Sequence, residues 1–258
     1  MLDILHSGER LLGLWLYLFI GAGILTGVIT GFFKARKVQP RGFKWTVLRN
    51  EAVFATINMV VSGFVLGGIN GYLRKHGWIS FDHAPAAWWT IALEYALYFI
   101  LFDTWFYWLH RWMHKEPFYS WVHKLHHKST APNLLTTFSV NPLESLVNGG
   151  FVPIFVTLFT VHDATMALIV PTSVLMGLYV HSGYEFMPRW WNRSWATKWF
   201  ITATFHDQHH RYFTGNFGGY TTIWDRLCGT MRPKFEADFV KNKDRLRETA
   251  ASAEPVAA

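Results

Sequence analysis

The chain has 258 residues, enough for one compact domain, and 51% of them are hydrophobic and 18% aromatic. This apolar content exceeds what a soluble core of that size needs, so we expect a membrane protein. The single cysteine, Cys228, excludes an internal disulfide, a four-cysteine zinc site and a cysteine-ligated iron–sulfur cluster. The formal net charge of +7 is not accompanied by a stacking or base-reading motif, so no nucleic-acid partner is expected.

The first predicted element is a membrane-spanning helix over residues 11–33, an uncharged run long enough to cross a hydrocarbon core of about 30 Å. The run is longer than the apolar part of a signal peptide and follows acidic residues, so we expect it to be retained. Six basic residues crowd the segment that follows it: Lys34, Arg36, Lys37, Arg41, Lys44 and Arg49. This clustering predicts a cytoplasmic loop.

Two further apolar runs, 52–72 and 88–109, are separated by a connection that contains Gly and Pro. The sequence therefore predicts about three full transmembrane helices. If the basic loop is cytoplasmic, the connection 73–87 lies outside, and His110, at the end of the third helix, lies on the cytoplasmic side.

Shorter apolar runs at 146–161 and 164–180 flank His162 and Asp163 and predict a short membrane hairpin. Such a hairpin leaves the cytoplasmic side and returns His181 to it. From residue 236 to residue 258 the chain is charged and then Ala-rich, without an apolar face, which predicts a mobile tail. The predicted fold class is all-α, an integral membrane helical bundle with a cytoplasmic helical cap.

Three short clusters contain eight of the thirteen histidines. An HxxxH box places two imidazoles one turn apart on one helix face, so that both can bind one ion. Two HxxHH boxes each present a helical stripe that can supply two neighbouring ions. The eight residues are His110 and His114 in the first box, His123, His126 and His127 in the second, and His206, His209 and His210 in the third.

His181 is the expected ninth ligand because the hairpin returns it to the side of the boxes; a polar residue at a helix end is the alternative. Eight or nine imidazoles exceed the four to six ligands of a single ion, so the count predicts two metal ions. Imidazole binds Zn, Cu, Fe and Ni, so ligand type leaves the metal open. A zinc peptidase is excluded because Arg111 stands where HExxH requires Glu. His6, His76, His83 and His162 are predicted to take no part.

Asp103 lies seven residues before His110 on the same helix face. A carboxylate within a span costs about 2.5–3.5 kcal/mol, so it requires a partner, either a ligand imidazole or a group on a neighbouring helix. Glu144 and Asp207 are further candidates for bonding to ligand histidines. Glu94, Glu185 and Asp225 are additional ones.

The three boxes, in this order and after membrane helices, resemble the fatty acid hydroxylase/sterol desaturase superfamily. The resemblance runs from about residue 103 to residue 230 and includes Asn141-Pro-Leu-Glu144, His181-Ser-Gly and Asn216-Phe-Gly. The HxxxH spacing of the first box favours the hydroxylase and sterol branch over the acyl-CoA desaturases. Asn141 stands where many sterol-oxidising relatives have His, so the substrate class stays open.

The resemblance implies a membrane-bound oxygenase or oxidase that hydroxylates or desaturates a lipid substrate, whether sterol, fatty acyl or sphingolipid-like. It implies two iron ions bound by the eight box histidines and His181, with zinc as a possible substitute in purified protein. We expect the chain to divide into an N-terminal transmembrane region (1–86), a fatty acid hydroxylase-like catalytic domain (87–235) and the tail (236–258).

Electrons would come from a separate donor, a cytochrome b5-like protein, a ferredoxin or a reductase, because the chain has no flavin or dinucleotide fingerprint. An apolar tunnel lined by residues 88–108 and 151–179 would orient the lipid. The last residues carry no retrieval signal, which favours a bacterial inner membrane over the endoplasmic reticulum, with the active site on the cytoplasmic face.

One alternative function belongs to a different class: a membrane metal-binding or transport protein whose histidine clusters sequester zinc. A transport path needs polar groups at membrane depth, whereas the histidines of this chain follow the helix ends. Oxygen consumption coupled to lipid oxidation separates the two functions.

Overall fold

The chain is mostly helical, as predicted, in a computed structural model that describes residue 21, residues 36–39 and residues 44–253. The predicted span 11–33 lies outside the described residues except for residue 21. The helices are α1 (Trp45–Lys75), α2 (Trp88–Met113), α3 (Pro142–Gly149), α4 (Phe151–Leu158), α5 (Asp163–His181), α6 (Ala203–Tyr212), α7 (Ile223–Leu227) and α8 (Phe235–Ala253). Short helical turns lie at Tyr119–His123, His126–Lys128, Leu134–Thr137 and Trp191–Arg193.

Two of these helices, α1 with 31 residues and α5 with 19, are long and apolar enough to cross a membrane. Helix α2, predicted as a full span, has 26 residues but is not one of the two; it contains Glu94, Asp103 and several Trp and Tyr residues. The first arm of the predicted hairpin is divided into α3 and α4 at Gly150, whereas the second arm is the continuous helix α5.

One end of the bundle is closed by the only strand pair among the described residues, a small exception to the all-α prediction. Strand β1 (Phe81–Asp82) pairs in parallel with β2 (Val161–His162). His162 also contacts Glu94 of α2, with 2.8 Å between Nδ1 and Oε1. The α1–α2 connection and the tip of the hairpin therefore meet, and the histidine boxes lie at the opposite ends of α2 and α5.

An aromatic core packs between α2 and α4. The ring of Tyr98 lies 5.6 Å from that of Phe151 and 5.2 Å from that of Phe155, and the rings of Phe102 and Tyr220 lie 5.2 Å apart. These rings bury large apolar areas and hold α2 in register with the helices that follow it. They occupy part of the region expected to form an apolar tunnel, and the tunnel stays a prediction.

The segment after residue 234 differs from the predicted mobile tail, because residues 235–253 form α8. Phe235 and Phe239, one turn apart, are 1% and 0% exposed and pack with Ile201 and Phe205. The sequence did not indicate this helix because its apolar face is only about two turns long and the residues after it are polar. Helix α8 therefore covers the helix that carries the third box.

We expect Phe239→Ala to destabilise the protein by about 3–5 kcal/mol, because it leaves a cavity beside Phe205. The measurement is thermal unfolding of the purified protein in detergent, followed by circular dichroism. Lys241→Ala, an exposed change in the same helix, is the control and should leave the transition in place. Equal transitions for the two variants would show that α8 does not contribute to the folded core.

Candidate metal centre

Nine histidines lie together at the ends of α2 and α5, and their ring nitrogens form two groups. The first group is His110, His114, His123, His127 and His209, and the second group is His126, His181, His206 and His210. Within each group the candidate ligand atoms all lie within 4.8 Å of one another. Eight of the nine residues are buried, and His114 is partly exposed.

The two groups are interleaved along the chain. In the third box, His206 and His210 belong to the second group, with 3.1 Å between their Nε2 atoms, whereas His209 belongs to the first. The second box follows the same rule, with its middle histidine, His126, in the second group. In both boxes, the two histidines four residues apart thus face the same group, and the histidine between them faces the other group.

The third box lies on α6, the helical stripe that its spacing predicts. Two groups cap the start of this helix: Thr202 Oγ1 accepts from the Phe205 amide at 3.2 Å, and Glu185 accepts from the Thr204 amide at 2.9 Å. Capping oxygens and a carboxylate are favourable at a helix N-terminus, where backbone N–H groups have no partners within the helix. The Glu185 carboxylate thus supports the third box without contacting its histidines directly.

The second box differs from the predicted single helical stripe. Its first half is one wide turn in which the Lys124 amide donates to the Tyr119 carbonyl at 2.8 Å, and its second half is the tighter turn His126–Lys128. A turn closed five residues back is wider than an α-helical turn, and such turns are frequent at functional sites. The change of pitch sets the direction of His123 relative to that of His126.

Backbone carbonyls orient four of the nine imidazoles through their Nδ1 atoms. His110 contacts the Phe217 oxygen at 2.8 Å, His181 the Gly177 oxygen at 2.8 Å, His209 the Gly215 oxygen at 2.9 Å and His210 the Ser129 oxygen at 3.0 Å. A carbonyl only accepts hydrogen bonds, so each Nδ1 carries the proton and each Nε2 presents its lone pair to the group.

The carboxylate of Glu144 lies beside a fifth imidazole, with 2.9 Å between its Oε2 and Nδ1 of His123. Burial raises the pKa of Glu144 well above its usual value, so the carboxylate form requires positive charge nearby. Asn141 sets the start of the same helix: its Oδ1 accepts from the Leu143 amide at 2.9 Å, and its Nδ2 donates to the Trp121 carbonyl at 3.1 Å.

Asp103 and Asp225 act on the loop that follows the third box. Asp103 accepts from the amides of Tyr220 and Thr221, each at 2.9 Å. Asp225 accepts from the amide of Phe217 at 2.9 Å, in the same loop. Since the Phe217 carbonyl bonds to His110, both carboxylates support the first group indirectly. Asp103 therefore bonds neither to a ligand imidazole nor to a neighbouring helix, the two partners open from the sequence, but to this loop, including the Thr221 hydroxyl.

Two residues near the site were not indicated by the sequence. Gln39 Nε2 donates to Asp207 Oδ1 at 2.6 Å and to the Thr130 carbonyl at 3.0 Å. Glu51 accepts from Ser129 and from neighbouring residues. The sequence could have indicated Glu51 because it is a carboxylate at the edge of an apolar run, where a charge requires a partner.

The distances between Nε2 atoms test whether these residues fit a metal. Contacting Nε2 atoms are 2.9–3.2 Å apart in both groups. A cation about 2.1 Å from two imidazole nitrogens at roughly 90° holds them about 3.0 Å apart. Burial, followed by repulsion from neighbouring imidazoles, holds the pKa of His206, His209 and His210 well below its usual value, and neutral imidazole is the ligand form. The residues fit two metal ions.

The remaining described histidines lie outside both groups. His83 Nδ1 lies 3.0 Å from Asp163 Oδ2, and His162 contacts Glu94, both at the end of the bundle that carries the strand pair. The ring of His76 lies 4.3 Å from that of Tyr72. His6 lies outside the described residues.

The fold and the histidine site define a class of protein, and the comparisons agree with it. The model of the fatty acid hydroxylase family matches residues 95–230, more than half of the chain, and the chain belongs to this family. The matched range contains all nine histidines of the two groups. The predicted superfamily is confirmed.

Particular relatives are methylsterol monooxygenases. Methylsterol monooxygenase erg25A of Aspergillus fumigatus is 36% identical over 147 residues, 55% of this chain and 48% of that protein. Methylsterol monooxygenase 1 of Danio rerio is 37% identical over 131 residues, 51% and 44% of the two chains. C-4 methylsterol oxidase erg25 of Schizosaccharomyces pombe is 32% identical over 166 residues, 58% and 54%. The chain spans about half the length of these curated relatives. No solved structure is significantly similar to it.

The relatives correct the predicted location. They come from fungi and animals, which have no bacterial inner membrane, so that prediction is wrong. Of the two membranes considered, the endoplasmic reticulum fits these relatives. The prediction failed because retrieval signals are addresses read by receptors, and the absence of one such motif does not identify a membrane.

We expect Glu144→Ala to weaken metal binding about 10–100-fold, because His123 loses the carboxylate that orients its ring. The measurement is competition of the metal-loaded protein with a chelator. Glu116→Ala is the control, since Glu116 is exposed and bonds to Ser120 rather than to a histidine. Equal chelator resistance in the two variants would show that the Glu144–His123 contact has no part in holding a metal.

Proposed function

We propose that this protein is a membrane-bound, oxygen-dependent oxidoreductase that hydroxylates a lipid, with two iron ions held by the two histidine groups. The observation that carries the proposal is the pair of interleaved groups whose Nε2 atoms approach to 2.9–3.2 Å. The first group would hold one ion through five imidazoles, and the second group would hold the other through four.

The choice of iron and dioxygen is supported by the family and by relatives named monooxygenases. Imidazole alone does not select iron over zinc or copper. When bound, two iron ions supply the reductive activation of dioxygen and the oxidising power to attack an unactivated C–H bond. Electrons would come from a separate donor, since no flavin or dinucleotide motif is present in the sequence.

The side chains of this chain orient the ligands and exclude water. Aromatic rings border the first group. The distances between ring centroids are 5.1 Å for Phe106 and His110, 5.1 Å for Phe217 and His114, and 4.9 Å for Phe213 and His127. Apolar walls keep water from the reacting atoms and strengthen the electrostatic interactions inside the site. The partly exposed His114 marks the side of the first group nearest the surface.

For the substrate, we propose a methylsterol or a similarly compact sterol-like lipid, supported by the names of the relatives. Asn141, which stands where many sterol-oxidising relatives have His, does not argue against this. It caps α3 and contacts the Trp121 carbonyl, and it belongs to neither histidine group. Asn at this position therefore takes no ligand away from either group. Fatty acyl and sphingolipid-like substrates are the alternatives.

We expect the purified protein to contain about two iron ions per chain, and His209→Ala to reduce oxygen-dependent turnover at least about 100-fold. The measurements are elemental analysis and oxygen uptake with a reductant. His83→Ala is the control, because His83 pairs with Asp163 far from both groups. Turnover by metal-free protein would contradict the proposal, and bound zinc without oxygen uptake would favour the metal-sequestering alternative.

The substrate proposal is tested by offering a methylsterol, a long-chain fatty acid and a ceramide to the iron-loaded protein with labelled dioxygen and a reductant. We expect the methylsterol to gain one labelled oxygen atom, detected by mass spectrometry, because a monooxygenase transfers one atom of dioxygen to its substrate. Oxidation confined to the fatty acid or the ceramide would contradict a sterol substrate while leaving the lipid oxygenase intact.

A further inference from the structure

Glu51 is a buried carboxylate on α1, outside the range matched by the family. Its side chain is 4% exposed in a helix apolar enough to span a membrane. A charge in such a place is costly unless hydrogen bonds compensate it. Its partners therefore indicate what the carboxylate holds in place.

Among the described residues, three side chains donate hydrogen bonds to Glu51, and all three lie in the segment directly after the second histidine box. Ser129 Oγ and Asn133 Nδ2 donate to the carboxylate through short contacts, and Thr136 Oγ1 donates at 3.1 Å. Hydrogen bonds to a carboxylate are stronger than those between neutral groups. Glu51 thus fastens residues 129–136 to α1.

Ser129 connects this carboxylate to the second histidine group. Its hydroxyl donates to Glu51, and its backbone carbonyl lies 3.0 Å from Nδ1 of His210. The carbonyl accepts the Nδ1 proton, so the position of Ser129 sets both the tautomer and the ring orientation of His210. Two hydrogen bonds therefore link Glu51 to a proposed metal ligand.

Gln39 supports the adjoining position in the same way. Its Nε2 donates to the Thr130 carbonyl at 3.0 Å and to Asp207 at 2.6 Å, next to Ser129 and His206 respectively. The N-terminal part of the chain thus braces the second group at two neighbouring points. The second group has four imidazoles and the first has five, so the orientation of each imidazole has a larger effect on metal binding in the second group.

We propose that Glu51 is a positioning residue for the second histidine group, acting through Ser129 on His210. The inference rests on the proposed function, because it requires an ion in that group. Its hydrogen bonds go to Ser129, Asn133 and Thr136, so Glu51 would act on the ion only through these residues. Replacing Glu51 should weaken the binding of the ion in the second histidine group and leave the ion in the first group bound.

The experiment measures iron per chain and the Mössbauer spectrum of wild type, Glu51→Ala and Glu51→Gln. We expect about two ions in wild type and about one in Glu51→Ala, with the apparent dissociation constant of the second ion raised about 10–100-fold. Glu51→Gln keeps the shape and one acceptor oxygen, so its loss should be smaller. The spectrum of the remaining iron should match one of the two wild-type components.

Asn58→Ala is the matched control. Asn58 lies seven residues further along α1, is 2% exposed, and donates to the Phe138 carbonyl at 3.0 Å. It fastens the chain to the same helix at residue 138, just after the segment 129–136, and has no hydrogen bond to Ser129. We expect this variant to retain both ions even if its thermal stability falls.

Ser129→Ala provides a second test of the proposal if Glu51→Ala does not fold. It keeps the carbonyl that bonds to His210 and removes the hydroxyl that holds it, so partial loss of the second ion is expected. Two firmly bound ions with wild-type spectra in both Glu51→Gln and Ser129→Ala would overturn the inference. Loss of one ion in Asn58→Ala would overturn it as well. Any hydrogen bond between α1 and this part of the chain would then affect the ion in the same way, whether or not it involves Ser129. A wild-type protein without metal would instead contradict the proposed function.

Discussion

Buried imidazole nitrogens that face each other at about 3 Å with their lone pairs repel one another unless positive charge lies between them. The nine histidines of this chain meet that condition in two adjoining places. Protonation does not supply this charge, because burial and mutual repulsion hold the pKa of the box histidines low. Metal ions satisfy the lone pairs without protons. The rest of the structure holds this repulsive arrangement together.

The support comes from the backbone more than from charged side chains. Carbonyls of Phe217, Gly215 and Ser129 fix ring tautomers, and those carbonyls lie in loops rather than in helices. A loop keeps such a position only if other bonds hold it. Asp103 and Asp225 hold the loop after the third box, and Glu51 holds the segment after the second. These three buried carboxylates thus act on the site indirectly, whereas Glu144 lies directly beside His123.

Spacing allowed the eight box histidines to be predicted from the sequence, because the i, i+4 and i, i+3, i+4 patterns are local properties of the chain; His181 was predicted from the hairpin that returns it to the same side. The bounds of α2 and α5 were close to the apolar runs 88–109 and 164–180 for the same reason. The supports could not be predicted in this way: Glu51 and Ser129 are 78 positions apart, and Gln39 and Asp207 are 168 apart. Such pairs are set by how the helices pack. The change of pitch in the second box and the burial of Phe239 likewise depend on tertiary contacts.

Helix α2 presents apolar residues on one side and residues of the candidate metal centre or its supports on another. Leu93, Ile100 and Trp108 are exposed along one side of it, whereas Asp103, Tyr107 and His110 are buried along another. Exposed apolar residues on a long helix are costly in water and favourable in lipid, and Trp prefers the boundary between the two. Trp108 and His110 are two residues apart, so if Trp108 lies at that boundary, the first histidine group would lie close to its level. A site at that level would face lipids that present an apolar body to the bilayer and a polar end to water, as the proposed sterol substrate does.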